Sequence, residues 1–141
     1  MREIVLDTET TGLDPLCGDR IVEIGCVELV NHVASGKIFQ SYINPERDMP
    51  EGAFRIHGLS TQFLADKPVF AAVADEFLTF VAEDRLVIHN AGFDLGFLNA
   101  ELEKLGKPAF LSVRAIDTVS LARRKYPGAP VSLNALCRRF E

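Results

Sequence analysis

The chain has 141 residues, 48% of them hydrophobic and 25% charged, which is the composition of an ordinary globular domain with one core. No apolar run approaches the roughly 18 residues of a membrane span, and no secretion signal is recognisable, so we expect a cytoplasmic protein. The net charge of −5 argues against strong binding to a nucleic-acid duplex by the chain alone, since basic patches supply most of such affinity.

The first part of the chain has the residue pattern of β-strands. Ile4–Thr8, Arg20–Val30 and Lys37–Ile43 are rich in β-branched residues or alternate polar with apolar ones. A turn-rich loop separates the first two segments. Three successive strands with short connections predict an antiparallel meander.

The rest of the chain alternates helices with short strands. Ser60 is a suitable N-cap for a short helix. The further predicted elements, in chain order, are a helix over Pro68–Val81, a strand over Leu86–Ile88, a helix over Phe93–Leu105 that Gly106 ends, a strand over Val113–Asp117, and helices over Thr118–Lys125 and Ser132–Phe140. The sequence therefore predicts an α/β fold, in which a mixed sheet of antiparallel meander and then parallel strands is flanked by helices.

Two carboxylates follow the first apolar strand in the stretch Asp7-Thr8-Glu9. Residues i and i+2 of a strand point to the same face, so both carboxylates project together, with Cα atoms roughly 6–7 Å apart. Such a pair repels itself unless it is exposed, protonated or bridged by a cation, and hard oxygen ligands suit Mg²⁺ or Mn²⁺. Two unrelated acids at a solvated strand end would give the same pattern.

A second polar stretch, His89 to Asp94, follows the predicted strand Leu86–Ile88 and opens a helix. Strand ends of open α/β sheets are where ligands tend to bind. Asn90 as a helix N-cap and Asp94 as an acid in the first turn would explain both residues without a function. His57, beside a glycine and ahead of a helix, would contact a phosphate or a base, or else be solvated in a loop.

Taken together, these stretches resemble the DEDD (DnaQ-like) 3′–5′ exonuclease superfamily. The resemblance rests on Asp7–Leu13, Ile56–Gly58 and His89–Asp94 in that order and at those spacings, and it runs from Ile4 to Phe140. It implies a ribonuclease H-like fold and a metal-dependent exonuclease that removes mispaired nucleotides from a frayed or single-stranded 3′ end of DNA. The branch it resembles most proofreads for bacterial replicative polymerases, which implies a DNA polymerase catalytic subunit as a partner.

The resemblance also implies roles for individual residues. Asp7 and Glu9 match the ligands of two divalent ions, Mg²⁺ or Mn²⁺, with Asp7 bridging both. Asp94 matches an acid that holds a metal through water. The residues that match positions around the terminal nucleotide are Thr10, Gly12, Leu13, His57, Asn90 and Phe93.

Two catalytic residues of the superfamily have no counterpart in this sequence. The pattern ends on a final helix with a histidine general base and a fourth aspartate. No histidine follows His89, and Asp117, the only aspartate after Asp94, matches a position that is not catalytic. We therefore expect residues 1–141 to form one exonuclease domain that lacks the helix with the last catalytic motif, and to be weakly active or inactive alone. A stand-alone domain with a broken site is the alternative.

Other functions remain compatible with parts of the sequence. An RNA-trimming exonuclease of the same superfamily would carry the same motifs. A module that only binds nucleic acid or a polymerase would need no fourth aspartate. A phosphatase of the haloacid dehalogenase type also has acids after its first strand, but it uses Asp-x-Asp where this chain has Asp7-Thr8-Glu9.

Overall fold

A five-stranded mixed sheet forms the centre of the molecule in the computed structural model, which describes residues 1–141. Its order is β3-β2-β1-β4-β5, with β1 antiparallel to β2 and parallel to β4. The strands are β1 Arg2–Thr10, β2 Ile21–Val30, β3 Val33–Tyr42, β4 Arg85–Ile88 and β5 Ala115–Asp117. The predicted meander followed by parallel strands is confirmed.

Helices of four to fourteen residues flank the sheet. They are α1 Glu51–His57, α2 Thr61–Leu64, α3 Phe70–Val81, α4 Ala91–Lys104, α5 Thr118–Lys125 and α6 Leu133–Arg139. Two further segments, Pro15–Cys17 and Ser112–Arg114, are single turns of 3₁₀ helix. None of the helices has the length and apolar character that crossing a membrane requires.

The hydrophobic core lies between one face of the sheet and the helices α3 and α4. Ile4 and Leu6 of β1 point into it, and Phe77 of α3 and Phe97 of α4 close it, all of them at most 2% exposed. Successive residues of a strand point to opposite faces. The odd-numbered residues of β1 that follow Leu6 therefore project away from this core.

The strand β3 begins earlier than predicted, at Val33 rather than Lys37. Asn31 and His32 both have positive φ angles, 50° and 68°, which is the backbone of a two-residue hairpin turn. The turn pairs Val33 with Val30. The apolar alternation did not reveal this part of β3 because a Ser-Gly pair interrupts it.

The helix α1 was not predicted. It has seven residues, its N-cap makes no side-chain hydrogen bond, and none of its residues is buried. Gly58, with φ 72°, ends it and donates its backbone N–H to the Phe54 carbonyl. The sequence therefore offered neither an apolar stripe nor a capping side chain, and His57 closes a helix instead of lying in a loop.

The prediction of a strand over Val113–Asp117 was partly wrong. Only Ala115–Asp117 pairs, with Leu86–Ile88 of β4 as its partners. Val113 lies before the sheet edge in a 3₁₀ turn and is 84% exposed. A β-branched residue does not extend a strand where the neighbouring strand offers no partner.

An ion pair of low exposure joins the loop before β2 to α4. The Nε and Nη2 atoms of Arg20 donate to the two carboxylate oxygens of Glu101 at 2.6 and 2.7 Å. The two side chains are 20% and 4% exposed. Bidentate pairing of this kind sets both distance and orientation, so it holds the loop after β1 against α4.

Replacing Glu101 by Ala is expected to lower the free energy of unfolding by about 3 kcal/mol, because Arg20 would keep its charge without a partner. Urea denaturation measures this change. Glu103→Ala, at an exposed position of the same helix, is the matched control and should cost less than about 0.5 kcal/mol. Equal losses in the two variants would contradict a structural role for the ion pair.

The three cysteines differ in burial. Cys26 is buried, whereas Cys17 and Cys137 are exposed. Burial raises the pKa of the Cys26 thiol to about 12, and the thiolate is the reactive form. A thiol-reactive dye at pH 8 should therefore label Cys17 and Cys137 in the folded chain and reach Cys26 only after denaturation. Mass spectrometry would count the labels, and labelling of all three at one rate would contradict this core.

Candidate active site

The carboxyl end of β1 places Asp7 and Glu9 on the sheet face opposite the core. Their partners in register on β2 are Gly25 beside Asp7 and Glu23 beside Glu9. A Cβ at Gly25 would meet nothing within 4 Å, so the space next to Asp7 is open. Burial raises the pKa of Glu9, and the charges of Asp7 and Glu23 add to this while His57 opposes it. The predicted pair of repelling carboxylates is therefore present.

Asp94 reaches the same strand from the first turn of α4. It is 3% exposed, and its carboxylate accepts a hydrogen bond from the hydroxyl of Thr8, the residue between Asp7 and Glu9. Burial raises the pKa of Asp94 to about 6, the Thr8 hydrogen bond opposes the rise, and the charge of Asp7 adds to it. A solvated acid that only complements the helix dipole would not be buried in this way.

Asn90 occupies the N-cap position of α4 without capping it. Its backbone is left-handed, with φ 67°, and its side chain makes no capping hydrogen bond. Its backbone N–H donates instead to Asp117 Oδ1 at 3.1 Å, and His89 Nδ1 lies 2.9 Å from Thr118 Oγ1. The loop between β4 and α4 is thus tied to the end of β5, and the exposed Asn90 side chain faces solvent.

The donor chemistry of this cluster fits a hard divalent cation. Carboxylate oxygens are the ligands that Mg²⁺ and Mn²⁺ prefer, and a cation would remove the repulsion among Asp7, Glu9 and Asp94. No three His, Cys, Asp or Glu side chains converge closely enough to hold an ion by themselves. Mg²⁺ typically takes only one or two carboxylates and completes its shell with water and substrate oxygens, so the arrangement suits it.

A cavity of about 480 Å³ opens beside Glu9 between the end of β1, α1 and α4. Cavities of this size hold small ligands such as a single nucleotide. Five of the six residues predicted to surround a terminal nucleotide lie in its wall, and the sixth, Asn90, does not. The wall consists of Thr8, Glu9, Thr10, Thr11, Gly12, Leu13, Pro50, Gly52, Ala53, Ile56, His57 and Phe93.

The ring of His57 is held in place by hydrogen bonds at both nitrogens. Nδ1 accepts from the Leu59 backbone N–H at 3.1 Å, and Nε2 lies 3.0 Å from the Thr10 carbonyl oxygen. Because Nδ1 accepts, the proton resides on Nε2, which donates to Thr10. The ring therefore stands at the cavity wall near Glu9, and the interpretation of His57 as a solvated loop residue was wrong.

Gly12 has a packing role besides its place in the cavity wall. A Cβ at this position would clash with the carboxylate of Asp19. That carboxylate accepts from the Thr11 hydroxyl at 2.9 Å and pairs with Arg47 at 3.0 Å. The loop after β1 thus folds tightly around Asp19, and only glycine fits where the backbone approaches it.

Besides His57, the residues of α1 and of its N-cap that line the cavity were not predicted as site residues. Pro50, Gly52, Ala53 and Ile56 form this side, and Ile56 is 81% exposed. Proline ahead of an acidic residue and a glycine after the last turn are start and stop signals of a helix. These signals are present around Glu51–His57, so the boundaries of α1, and not an apolar stripe, are what its sequence records.

Removing the Asp94 carboxylate should change how stability depends on pH. The folded-state pKa of about 6 lies above the ordinary 3.8, so the folded chain retains a proton that the unfolded chain has lost, and stability falls as pH rises from about 4 to 6. In EDTA, Asp94→Asn should be more stable than the parent by about 1–2 kcal/mol at pH 7.5 and not at pH 4.

Urea denaturation at pH 4, 6 and 7.5 measures this effect. Asp48→Asn, at an exposed position without an ion pair, is the control and should follow the parent curve. If the free energies of unfolding of the parent and of Asp94→Asn depended on pH in the same way, burial would not disfavour the charged form of Asp94.

Comparison with known proteins relates the whole chain to exonucleases. The model of the RNase_T family, described as Exonuclease, matches residues 4–141. The chain is 57% identical over 144 residues to DNA polymerase III subunit epsilon of Rickettsia prowazekii (strain Madrid E), covering 100% of this chain and 63% of that protein. The chain thus spans less than two thirds of the length of this relative. Exonucleases of this family generally use divalent metals.

Solved structures agree with this assignment. Exonuclease X in complex with 5′ overhanging duplex DNA is 28% identical, with a TM-score of 0.78, and the match covers 98% of this chain and 72% of that one. The metal-free form of an E. coli exonuclease I–single-stranded DNA complex is 18% identical, with a TM-score of 0.84, over 97% of this chain and 34% of that one. The second likeness confirms the ribonuclease H-like fold alone. The chain belongs to the RNase_T exonuclease family.

Proposed function

We propose that the chain is a metal-dependent 3′–5′ exonuclease domain that removes mispaired nucleotides from the 3′ end of DNA during replication. The observation that carries the proposal is the nucleotide-sized cavity that opens directly beside Glu9 of the carboxylate cluster. A reaction at the terminal phosphodiester requires the nucleotide pocket and the acids to be neighbours. The similarity to an epsilon subunit over the entire chain supports the proofreading role.

Asp7, Glu9 and Asp94 are proposed as ligands of two divalent ions, Mg²⁺ or Mn²⁺, with Asp94 acting through water. When bound, such ions lower the pKa of a water molecule and neutralise the charge that develops at phosphorus. The residues of the chain itself position the carboxylates. Thr8 holds the Asp94 carboxylate by a hydrogen bond, and the open space beside Gly25 leaves Asp7 accessible.

The terminal nucleotide is proposed to lie in the cavity. Phe93, whose ring packs 5.1 Å from that of Phe97, offers a supported aromatic face for a base, and Leu13 is 83% exposed on the other side of the loop. His57 and Thr10 present polar groups to the sugar and phosphate, and Asn90 is proposed to contact the strand from outside the cavity. A single-nucleotide cavity admits only an unpaired end, and mispaired ends unpair at lower free-energy cost.

A catalytically incomplete binding module is the second candidate. It is favoured by the absence of any group of three His, Cys, Asp or Glu side chains close enough to hold a metal ion by themselves. We propose that residues 1–141 form one exonuclease domain without the helix that bears the last catalytic motif. The chain alone is accordingly expected to be weakly active or inactive.

A DNA polymerase catalytic subunit is the proposed protein partner, and the cytoplasm, where bacterial DNA is replicated, is the proposed location. Both follow from the name of the relative and rest on the same assignment. RNA trimming remains an outcome of the test, because the residues around the cavity do not by themselves exclude a 2′-hydroxyl.

A chimera tests the activity: this chain replaces the matched region of the Rickettsia relative. In Mn²⁺, the chimera should release nucleotides from a 3′-mismatched DNA primer faster than from a matched one, and the 141-residue chain should release few or none. Asp7→Ala in the chimera should lower the rate at least about 100-fold, because it removes a direct metal ligand. Asp48→Ala, an exposed aspartate outside the cluster, should not change it.

Two other outcomes of this experiment would identify one of the alternative functions. A folded chimera that releases nothing in Mn²⁺ would replace the exonuclease proposal with the binding module. Faster release from an RNA 3′ end than from the matched DNA oligonucleotide would identify an RNA-trimming enzyme.

A further inference from the structure

Positive charge is concentrated in the last two helices of this acidic chain. Residues 118–141 contain five Lys or Arg and one Asp or Glu, whereas residues 1–117 contain ten and nineteen. The two parts therefore carry net charges of +4 and −9, which together give the −5 of the whole chain. The part that bears the carboxylate cluster would by itself repel a polyanion.

The five cations of residues 118–141, which we call the basic α5–α6 surface, have no carboxylate partners. All five are exposed. The surface consists of Arg123, Arg124, Lys125, Arg138 and Arg139. Elsewhere most cations are paired with acids, namely Arg2, Arg20, Arg47, Arg55, Lys67 and Lys107.

Cations of both helices lie over the ring of Tyr126, which places them on one surface. The Arg139 guanidinium lies 4.3 Å and the Lys125 ammonium 5.7 Å from the centroid of its ring. The Phe140 ring packs 6.0 Å from the Tyr126 ring and is 65% exposed. Tyr126 is half-buried, so Phe140 is the exposed ring among these unpaired cations. Aromatic rings among cations are the combination that binds single-stranded nucleic acid, through phosphates and base faces.

The basic α5–α6 surface is connected directly to the candidate active site. Thr118, the first residue of α5, lies 2.9 Å from His89, and Asp117 before it accepts from the Asn90 backbone. Eight helical residues extend about 12 Å. Arg123 to Lys125 at the other end of α5 therefore lie within about 12 Å, along the helix, of the residue that contacts His89, a length of about three or four nucleotides at roughly 3.4 Å per nucleotide.

We propose that the basic α5–α6 surface binds the phosphate backbone of the DNA strand, a few nucleotides from the 3′ end that enters the cavity. The identity of the polymer rests on the proposed function. An acidic site repels a polyanion until cations bind to it. The basic α5–α6 surface beside the site would supply the attraction instead. The aromatic rings within the surface favour nucleic acid over a lipid membrane as the partner.

The variant R123Q/R124Q/K125Q tests this proposal, with K37Q/R85Q/K104Q as its matched control. The control removes the same number of charges from exposed residues that also lack carboxylate partners. Fluorescence anisotropy in EDTA would measure the binding of a thymidine 12-mer and 3-mer by the 141-residue chain, with circular dichroism to verify folding.

The parent and the control should bind the 12-mer at least tenfold more tightly than the 3-mer in 20 mM salt, and R123Q/R124Q/K125Q should lose most of this difference. The slope of log K against log salt should fall in magnitude by about 2, since each phosphate contact contributes about 0.7 for single strands. Equal 12-mer affinity and slope in the variant and the control, or no 12-mer binding by the parent, would overturn the proposal.

Hydrolysis of the 3-mer separates this proposal from the exonuclease assignment. If the chimera hydrolyses the 3-mer in Mn²⁺ while R123Q/R124Q/K125Q binds the 12-mer as the control does, the assignment stands and the inference fails. If the 3-mer is not hydrolysed while 12-mer binding depends on these cations, the inference stands and the enzymatic assignment fails. Loss of binding to phosphatidylserine vesicles without any effect on DNA would identify a membrane surface instead and overturn the inference.

Discussion

The alternation of β1 at the centre of the sheet is the constraint on which the site depends. Ile4 and Leu6 are buried against α3 and α4, which places Asp7 and Glu9 on the opposite face. A slip of one residue would turn the carboxylates into the core and the apolar side chains into water, so core packing specifies the register strongly. The free energy of that packing holds two acids together that would otherwise separate.

Two contacts connect α4 to the end of β1 and to the loop that follows it. The hydrogen bond between Thr8 and Asp94 brings a third carboxylate to β1, and the pair of Arg20 and Glu101 holds the loop after β1 against the same helix. Burial, and then the charge of Asp7, raises the pKa values of Glu9 and Asp94, and the Thr8 hydrogen bond opposes the rise at Asp94. The site is thus a locally unfavourable arrangement that its surroundings maintain, as is common where a ligand supplies the missing charge.

Charge is divided over the molecule in a way that fits the proposed polyanionic substrate. The acids stand at the end of β1 and in the first turn of α4, where we propose a metal site. The unpaired cations stand on α5 and α6, where we propose that a phosphate backbone passes. A uniform mixture of charges would give neither a metal site nor an attractive path. The net charge of −5 conceals this division, because it averages over both parts.

The sequence by itself determined the meander, the helices from α3 onward and the pairing of Asp7 with Glu9, because periodicity and short-range spacing encode these features locally. Its motifs also indicated five residues of the cavity wall. Only the tertiary structure decided that α1 forms the remaining wall, that Asp94 is buried beneath Thr8, and that Asn90 does not cap α4. These features depend on contacts between segments far apart in the chain, such as the 86 residues that separate Thr8 from Asp94, and no local pattern records such contacts.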